Sequence, residues 1–365
     1  MKKFYAIACS AVMAALVAAC GGKDAFSVNG TVADDQFEAG KVYLLNGDKV
    51  VDSATVTQQS FSLGGKVAEP WIGTLVAVGE AGQATLDFVV EPGSITVDLL
   101  DDLLGGTPLN DSLCAFMHRI DNSDLRSELS SYLQLYYSAA TPADRDRAEH
   151  LYDSVEAVGI DRVFGQSKAF FEGNKDNILG AFALGTMASL DKLTYSELQA
   201  LVEQASPKVL DYAPLVDKMT QLLAVEQTSP GRHYIDIEGV DGRLSDLVDG
   251  HLALVDFYAS WCGPCRNEIR DNLVPLWAKY KDKGLVIVGL NVWERGSREA
   301  REAAHAKVMA ELGITYPQLV DSTRNATNTY GVQGIPKIIL IGPDGTILAR
   351  DLRGSAIEEA IVKAL

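Results

Sequence analysis

The sequence predicts a multidomain α+β protein with an N-terminal antiparallel β-sandwich, a helical middle segment and a C-terminal α/β domain. Three observations lead to this prediction. Apolar residues alternate with polar ones over residues 26–110, and they recur at helical spacing over 111–230. Over residues 231–365, short apolar runs alternate with helical patterns. A length of 365 residues allows two or three domains.

The composition argues against nucleic-acid binding and against a metal site. The chain carries 32 basic and 49 acidic residues, a net charge of −17, and no basic stretch offers a phosphate-binding face. The five histidines are scattered without a His-x-x-x-His pair. We therefore expect no metal, no cofactor and no nucleic-acid partner. The five cysteines are too dispersed for a disulfide framework, so hydrophobic cores must hold the fold together.

The N-terminus has the features of a secretory signal. Lys2 and Lys3 precede an apolar run over residues 4–20, which is followed by small residues. The run ends in LVAAC, which resembles the bacterial lipobox. That resemblance implies a signal peptide over residues 1–19 and lipidation of Cys20. An ordinary signal peptide or an anchor helix is the alternative. We expect a lipid-anchored, extracytoplasmic protein of the cell envelope, facing the periplasm rather than the cell surface.

The first two predicted domains carry no recognisable catalytic motif. In residues 26–110, strand-like stretches are separated by turn signals such as Asn46-Gly47-Asp48. We interpret this part as a structural or docking module. In residues 111–230, aromatic residues at helical spacing favour core packing, with a ligand groove as the alternative. Cys114 is expected to be buried and inert, although it could also be a partner for a reactive cysteine pair.

A Cys-x-x-Cys pair stands where a strand is predicted to end and a helix to begin. Leu252–Tyr258 is a short apolar run typical of a buried strand, and from Pro264 onward the apolar residues follow a helical period. A helix start stabilises a thiolate at Cys262, and Cys265 lies one turn further along. The alternatives are two inert core cysteines or half of a zinc site, which would need two more ligands.

The remaining C-terminal elements complete a predicted α/β domain over residues 231–365. A strand at 285–290 precedes a helix at 297–312, and a Gly-Pro-Asp-Gly turn at 342–345 separates two further strands. A last helix is predicted over 355–365. Strands alternating with helices indicate a sheet covered on both faces.

These residues carry a resemblance to known proteins. The run VDFYASWCGPC at residues 255–265, with Gly334-Ile335-Pro336 downstream, resembles thioredoxin. The elements around residues 297–312 and the hairpin at Asp344-Gly345 are similar to those of TlpA/ResA-type envelope thiol–disulfide oxidoreductases. The full arrangement resembles Bacteroidetes-type lipoproteins with an N-terminal β-domain and a helical middle segment.

The resemblance implies a role for each matching residue of the redox centre. Cys262 would be the attacking thiolate and Cys265 the resolving thiol, the two forming a redox disulfide. Asp256 matches a buried acid that accepts the proton of the resolving cysteine, and burial would raise its pKa. Glu268 matches an auxiliary acid of the envelope branch, and a solvent-facing carboxylate is the alternative.

The resemblance also implies a substrate-binding set around the pair. Pro336 matches a cis-proline, and the backbone of Ile335 would pair with the substrate chain. The full set is Trp261, Gly263, Pro264, Ile335 and Pro336. Lys337 departs from the threonine usual in thioredoxins, so substrate contacts can differ there.

Together these features predict a lipid-anchored thiol–disulfide oxidoreductase that reduces protein disulfides by dithiol exchange. Its partners would be protein thiols or disulfides and a membrane electron donor. One alternative is a thiol peroxidase, although the sequence has no Pro-x-x-x-Thr-x-x-Cys pattern. The other is a surface ligand-binding lipoprotein with an auxiliary redox domain.

Overall fold

The computed structural model describes residues 23–365 except 33–36, 38–39, 81, 101–102 and 240–241. The predicted signal peptide and Cys20 lie outside the described residues. The described chain forms two compact units. The first contains the residues up to Leu190 with Val202–Ala213, and the second contains Asp191–Leu201 with Pro214–Leu365. Within these parts of the chain, no helix combines the length and apolar character needed to span a bilayer.

The first unit contains two four-stranded sheets, which confirms the predicted N-terminal sheet domain. Their strand orders are β4-β1-β7-β8 and β3-β2-β5-β6. Several strands bury alternate residues, as β2 does with Val42 and Leu44. The strands are β1 (Ala25–Thr31), β2 (Lys41–Asn46), β3 (Lys49–Thr55), β4 (Ser60–Lys66), β5 (Trp71–Gly79), β6 (Gly82–Val90), β7 (Gly93–Asp98) and β8 (Leu103–Gly105).

One strand pair corrects the prediction of a wholly antiparallel domain. β1 pairs with β7 in parallel, with Phe26 opposite Gly93 and Thr31 opposite Asp98. The chain passes through the second sheet between these strands and returns in the same direction, which is the kind of connection a parallel pair requires. The other pairs of these two sheets are antiparallel. The sandwich arrangement stays a prediction.

The helical part begins at Pro108, three residues before the predicted start. Its helices are α1 (Pro108–Ile120), α2 (Ser123–Ser138), α3 (Pro142–Glu172), α4 (Leu179–Ser189), α5 (Tyr195–Val202) and α6 (Ala213–Gln227), with a 3₁₀ turn at Pro207–Asp211. Most of α5 and α6 belongs to the second compact unit. The predicted ranges 26–110, 111–230 and 231–365 stay a prediction.

Cys114 in α1 is partly exposed, so the prediction of a buried thiol is wrong. Its neighbour Leu113 is buried, and Phe116 stacks on Phe170 with ring centroids 4.2 Å apart. Consecutive helix residues point about 100° apart, so Cys114 lies at the border of this buried face.

The second unit is built on a five-stranded sheet of order β13-β12-β11-β14-β15. β11 lies at its centre, parallel to β12 and antiparallel to β14. The elements are β9 (Glu238–Gly239), β10 (Gly242–Arg243), α7 (Ser245–Val248), β11 (Leu252–Tyr258), α8 (Gly263–Glu268), α9 (Val274–Tyr280), β12 (Leu285–Asn291), α10 (Arg298–Leu312), β13 (Gln318–Val320), α11 (Asn325–Thr329), β14 (Lys337–Ile341), β15 (Ile347–Arg350) and α12 (Ser355–Ala364).

All seven residues of β11 are buried, because both faces of the sheet are covered. Leu254 and Tyr258 pack into one core with Cys265 and Ile269. Val255 belongs to a second, separate core. The predicted sheet, its hairpin and the terminal helix are all present in this unit.

The helix that follows the cysteine pair is interrupted between α8 and α9. A π-helical turn spans Ile269–Leu273. Ile269, Leu273, Leu276 and Tyr280 are buried as the predicted apolar face requires. The apolar spacing alone predicted an uninterrupted helix.

Candidate active site

The cysteine pair joins the end of the central strand to the start of α8. Cys262 and Cys265 form a disulfide with their Cα atoms 5.3 Å apart. Cys262 caps α8, and its Sγ accepts the backbone N–H of Cys265 at 3.2 Å. Cys265 is fully buried, whereas Cys262 keeps 5% of its surface exposed beside the exposed Gly263 and Pro264. A substrate sulfur can therefore reach Cys262 first.

The Ile335–Pro336 loop lies directly against Cys262. The peptide bond between Ile335 and Pro336 is cis, as the resemblance implies. The Ile335 carbonyl oxygen lies 3.8 Å from Cys262 Sγ. The structure thus brings together Cys262, Ile335 and Pro336, which are 73 and 74 positions apart in the sequence.

Asp256 is a buried carboxyl group in the middle of β11. Side chains alternate along a strand, so it faces the same side as Leu254 and Tyr258, which share a core with Cys265. Neither carboxylate oxygen has a hydrogen-bond partner among the described residues. Burial raises the pKa of Asp256 to about 8, with Arg353 opposing this shift and Glu268 adding to it. Asp256 can therefore hold a proton near neutral pH.

Glu268 is partly buried at the end of α8 and is engaged in hydrogen bonds. It accepts Asn272 Nδ2–H at 2.7 Å and the backbone N–H of Gly354 at 3.0 Å. The alternative of a solvent-facing carboxylate does not describe it. These contacts connect α8 to the residue that precedes α12, and the predicted role as an auxiliary acid stays a prediction.

Trp261 is an exposed member of the predicted substrate-binding set, with 44% of its surface accessible. Its indole N–H donates to the Trp293 carbonyl at 3.0 Å. The Arg295 guanidinium lies over its ring, 4.3 Å from the centroid. Trp261 therefore has a defined orientation beside Cys262 although it faces solvent.

The segment that holds the loop at Ser260 and Trp261 was not predicted from the sequence. Glu294 accepts the backbone N–H and the hydroxyl of Ser260 at 2.6 and 2.7 Å, and the side-chain amide of Asn291 at 2.8 Å. The sequence does contain a signal for this segment, namely its position directly after a predicted strand. Trp293, Glu294 and Arg295 follow β12, and the carboxyl ends of parallel neighbouring strands lie at the same edge of a sheet.

Comparison with known families identifies the unit that carries the pair. Residues 224–350 match the model of the AhpC/TSA family. The match covers about a third of the chain, and this C-terminal part, which carries the cysteine pair, is similar to the thioredoxin-like domains of that family. Upstream, residues 26–113 match a domain of unknown function, DUF4369.

Known proteins similar to the thioredoxin-like domain are thiol–disulfide oxidoreductases. The thiol:disulfide interchange protein HelX of Rhodobacter capsulatus is 35% identical over 122 residues, which is 33% of this chain and 62% of HelX. The thiol-disulfide oxidoreductase ResA of Bacillus thuringiensis is 29% identical over 126 residues, or 34% of this chain and 68% of ResA. These relatives confirm the predicted resemblance for the thioredoxin-like domain.

Solved structures similar to this domain include the thioredoxin domain of a thiol-disulfide oxidoreductase from Bacteroides vulgatus. It is 29% identical, covers 37% of this chain and 96% of its own, and has a TM-score of 0.33.

Among the described residues, no group of three or more His, Cys, Asp or Glu side chains is arranged to hold a metal ion.

Proposed function

We propose that the chain is a cell-envelope thiol–disulfide oxidoreductase that reduces protein disulfides through Cys262 and Cys265. The observation that carries this proposal is the arrangement around the pair. Cys262 keeps a small exposed surface at a helix start, Cys265 is fully buried, and Asp256 points into the core that contains Cys265. Relatives named thiol–disulfide oxidoreductases support the same class.

The proposed reaction proceeds in two exchanges. The Cys262 thiolate attacks one sulfur of a substrate disulfide, the substrate S–S bond breaks, and the departing thiolate takes a proton from solvent. Cys265 then loses its proton to the ionised form of Asp256 and attacks Cys262 Sγ. The mixed S–S bond between Cys262 and the substrate breaks, and the second substrate thiolate leaves and takes a proton from solvent. Two electrons pass from the protein dithiol to the substrate, and a membrane dithiol donor restores the reduced pair.

The pKa of Asp256 suits it to accept the proton of Cys265 in this second exchange. A free cysteine has a pKa of about 8.5. Burial raises the pKa of Asp256 to about 8, so a proton can move between the two groups at little cost in free energy. Arg353 lowers the pKa of this carboxyl group and Glu268 raises it. In this proposal Asp256 returns the proton to solvent before the next turnover.

The proposed location is the extracytoplasmic side of a membrane, with Cys20 lipidated and residues 1–19 removed. The charged start, the short apolar core and the LVAAC ending support it. In this arrangement the sheet domain over residues 26–110 and the helical segment over 111–230 stand between the anchor and the thioredoxin-like domain over 231–365.

Substitution of each cysteine tests the reaction. Cys262→Ser should lower the rate of insulin disulfide reduction, driven by dithiothreitol, by at least about 100-fold, because the attacking thiolate is lost. Cys265→Ala should accumulate a mixed disulfide between Cys262 and its substrate, visible on non-reducing gels. Cys114→Ser is the matched control and should keep the wild-type rate. Wild-type reduction by Cys262→Ser would contradict the proposal.

A peroxide assay distinguishes the proposed function from the thiol peroxidase alternative. The proposal predicts that the reduced protein consumes hydrogen peroxide no faster than an equal concentration of a model dithiol. Fast consumption that survives Cys265→Ala would favour the peroxidase instead.

A further inference from the structure

A groove with a volume of about 930 Å³ lies beside the Ile335–Pro336 loop. One side is formed by Ile335 and Pro336 themselves. The other side is formed by side chains of α5, α6 and the loop before α5, among them Leu193, Tyr195 and Leu222. All these residues belong to the second compact unit. A volume near the upper end of the usual range for binding pockets has room for several residues of a bound chain.

The wall made by α6 is held against the turn that leads into this loop. Gly331 has a φ of +60°, and a Cβ atom placed on it would lie 2.6 Å from Val225 Cγ2 and 2.9 Å from the Gln221 carbonyl oxygen. Lys218 Nζ donates to Asp191 at 2.8 Å and to Gln333 at 3.3 Å. The position of α6 relative to the cis-proline loop is therefore set by close packing and hydrogen bonds.

The charges of the groove largely compensate one another. Three acidic and three basic side chains line it, namely Asp191, Glu226, Asp351, Lys218, Lys337 and Arg353. Lys218 is paired with Asp191, Lys337 with Asp351, and Glu226 accepts the Ser196 hydroxyl. The groove thus offers little net charge to a ligand.

What the groove does offer is partly exposed apolar surface. Leu193, Tyr195, Leu222, Val225 and Ile335 are each intermediate in exposure. An apolar side chain placed among them would remove further apolar surface from water on both partners, which favours binding. The matching ligand is therefore neutral and apolar along this wall.

Ile335 connects the groove with the reactive sulfur. Ile335 lines the groove, and its carbonyl oxygen lies 3.8 Å from Cys262 Sγ. A polypeptide joined to Cys262 through its own cysteine passes this residue and can continue between the loop and the helices.

We infer that this groove receives an extended segment of the substrate protein and selects an apolar side chain close to the substrate cysteine. The inference rests on the proposed function and adds a substrate class to it. Leu193, Tyr195 and Leu222 lie outside residues 224–350, which match the AhpC/TSA model. These three side chains of the wall thus come from α5, α6 and the loop before α5, at positions that precede the matched region.

Two peptide disulfides test the inference on the full-length, dithiothreitol-reduced protein. Each peptide carries one cysteine linked to thionitrobenzoate, with Leu on both sides of the cysteine in one peptide and Ser in the other. Attack by Cys262 and then Cys265 releases thionitrobenzoate and the peptide thiol. We expect kcat/KM for the Leu peptide to be about tenfold higher, as burial of one apolar side chain predicts.

Variants of the helical wall should remove this preference. In the double variant Leu193→Ser with Leu222→Ser, the two peptides should react at rates within about twofold of each other. Val216→Ser is the matched control, because Val216 is exposed on α6 and does not line the groove. It should keep the tenfold preference, and a loss of preference in this control would overturn the inference.

Reduction of the small disulfide dithiobis-nitrobenzoic acid distinguishes failure of the proposed function from failure of the groove inference. If the wild-type protein reduces neither this compound nor the peptides, the proposed function fails. If it reduces this compound and both peptides equally well, the groove inference is overturned and the proposed function stands.

A second measurement does not depend on the folding of wall variants. In Cys265→Ala protein joined to the Leu peptide, amide hydrogen exchange in residues 193–201 and 218–226 should slow at least about threefold relative to protein joined to thionitrobenzoate alone. Equal exchange in the two adducts would overturn the inference.

Discussion

Asp256 combines a central position in the sheet with a carboxyl group that has no hydrogen-bond partner among the described residues. Burial penalises its charged form, which raises its pKa from an ordinary value of 3.8 to about 8. A group of this kind weakens the folded state whenever it must carry charge. Stability therefore does not account for its presence, and the proposed function assigns it a role in proton transfer with Cys265.

The raised pKa predicts a pH dependence of stability. Below pH 4 both the folded and the unfolded protein hold the proton, so the group costs nothing. Between pH 4 and pH 8 only the folded protein holds it, so stability falls as the pH rises, by on the order of 1 kcal/mol per pH unit. Asp256→Asn removes this dependence and should gain stability relative to wild type, by about 1–3 kcal/mol, between pH 5 and pH 7.

Urea unfolding of the oxidised wild-type and Asp256→Asn proteins at pH 5 and pH 7 measures this difference in stability. Asp271→Asn is the control, since Asp271 is exposed and its hydrogen bond to Arg270 lowers its pKa. The stability linked to Asp271 is lost at low pH, which is the opposite sign. Parallel pH curves for wild type and Asp256→Asn would contradict the assignment.

At the scale of elements, the contact between α6 and the turn at Gly331 decides the shape of the groove. Gly331 is in the left-handed region, and its missing Cβ lets the Val225 side chain and the Gln221 backbone approach. Gly313 is also in the left-handed region, with φ +66°, but a Cβ there would meet nothing within 4 Å.

These two glycines form a matched pair for a stability test. Gly313→Ala should cost about 1–2 kcal/mol, the price of a left-handed alanine. Gly331→Ala carries the same cost and also collides with α6, so it should lose a further 1–3 kcal/mol or so. Chemical unfolding of both variants gives the comparison. Equal losses would show that α6 yields easily at this contact.

At the scale of the whole molecule, the compact units do not divide where turn-forming residues punctuate the sequence. Thr228-Ser229-Pro230-Gly231 is a break in the pattern, but contacts extend across it. Arg350 in β15 donates to the Thr228 carbonyl at 2.8 Å and to its hydroxyl, and to the Tyr330 carbonyl at 2.8 Å. α6 therefore contributes to the stability of the unit that contains the cysteine pair.

Two fragments test this contribution. A fragment of residues 214–365 keeps α6, whereas one of residues 231–365 leaves Arg350 without its acceptors on Thr228 and exposes the surface around Gly331. We expect the longer fragment to unfold at a temperature about 3–10 °C higher. Circular dichroism melting at equal concentrations measures the difference, and equal midpoints would assign α6 no stabilising role.

Local patterns were sufficient to predict the redox centre and most of its framework. The unbroken apolar run of β11, the helix after Pro264 and the Asp-Gly hairpin each depend on neighbouring residues, and each is present. Period-2 and period-3.6 spacing report which face of an element is buried, so they carry information about secondary structure without a fold. The same reasoning was wrong for Cys114. This residue lies at the border of the buried face of α1, where a small rotation of the helix about its axis changes a side chain's exposure.

The proposed chemistry can be predicted from neighbouring residues alone, because Cys-x-x-Cys at a strand-to-helix junction, with an acid in the strand, is a local arrangement of residues. The surroundings of the sulfur depend instead on tertiary contacts. Glu294 supports Ser260, α6 packs on Gly331, and β1 pairs with β7 in parallel through contacts between distant positions. Such contacts form when separate segments bury apolar surface together, and the spacing of residues within one segment holds no record of which distant segment it will meet.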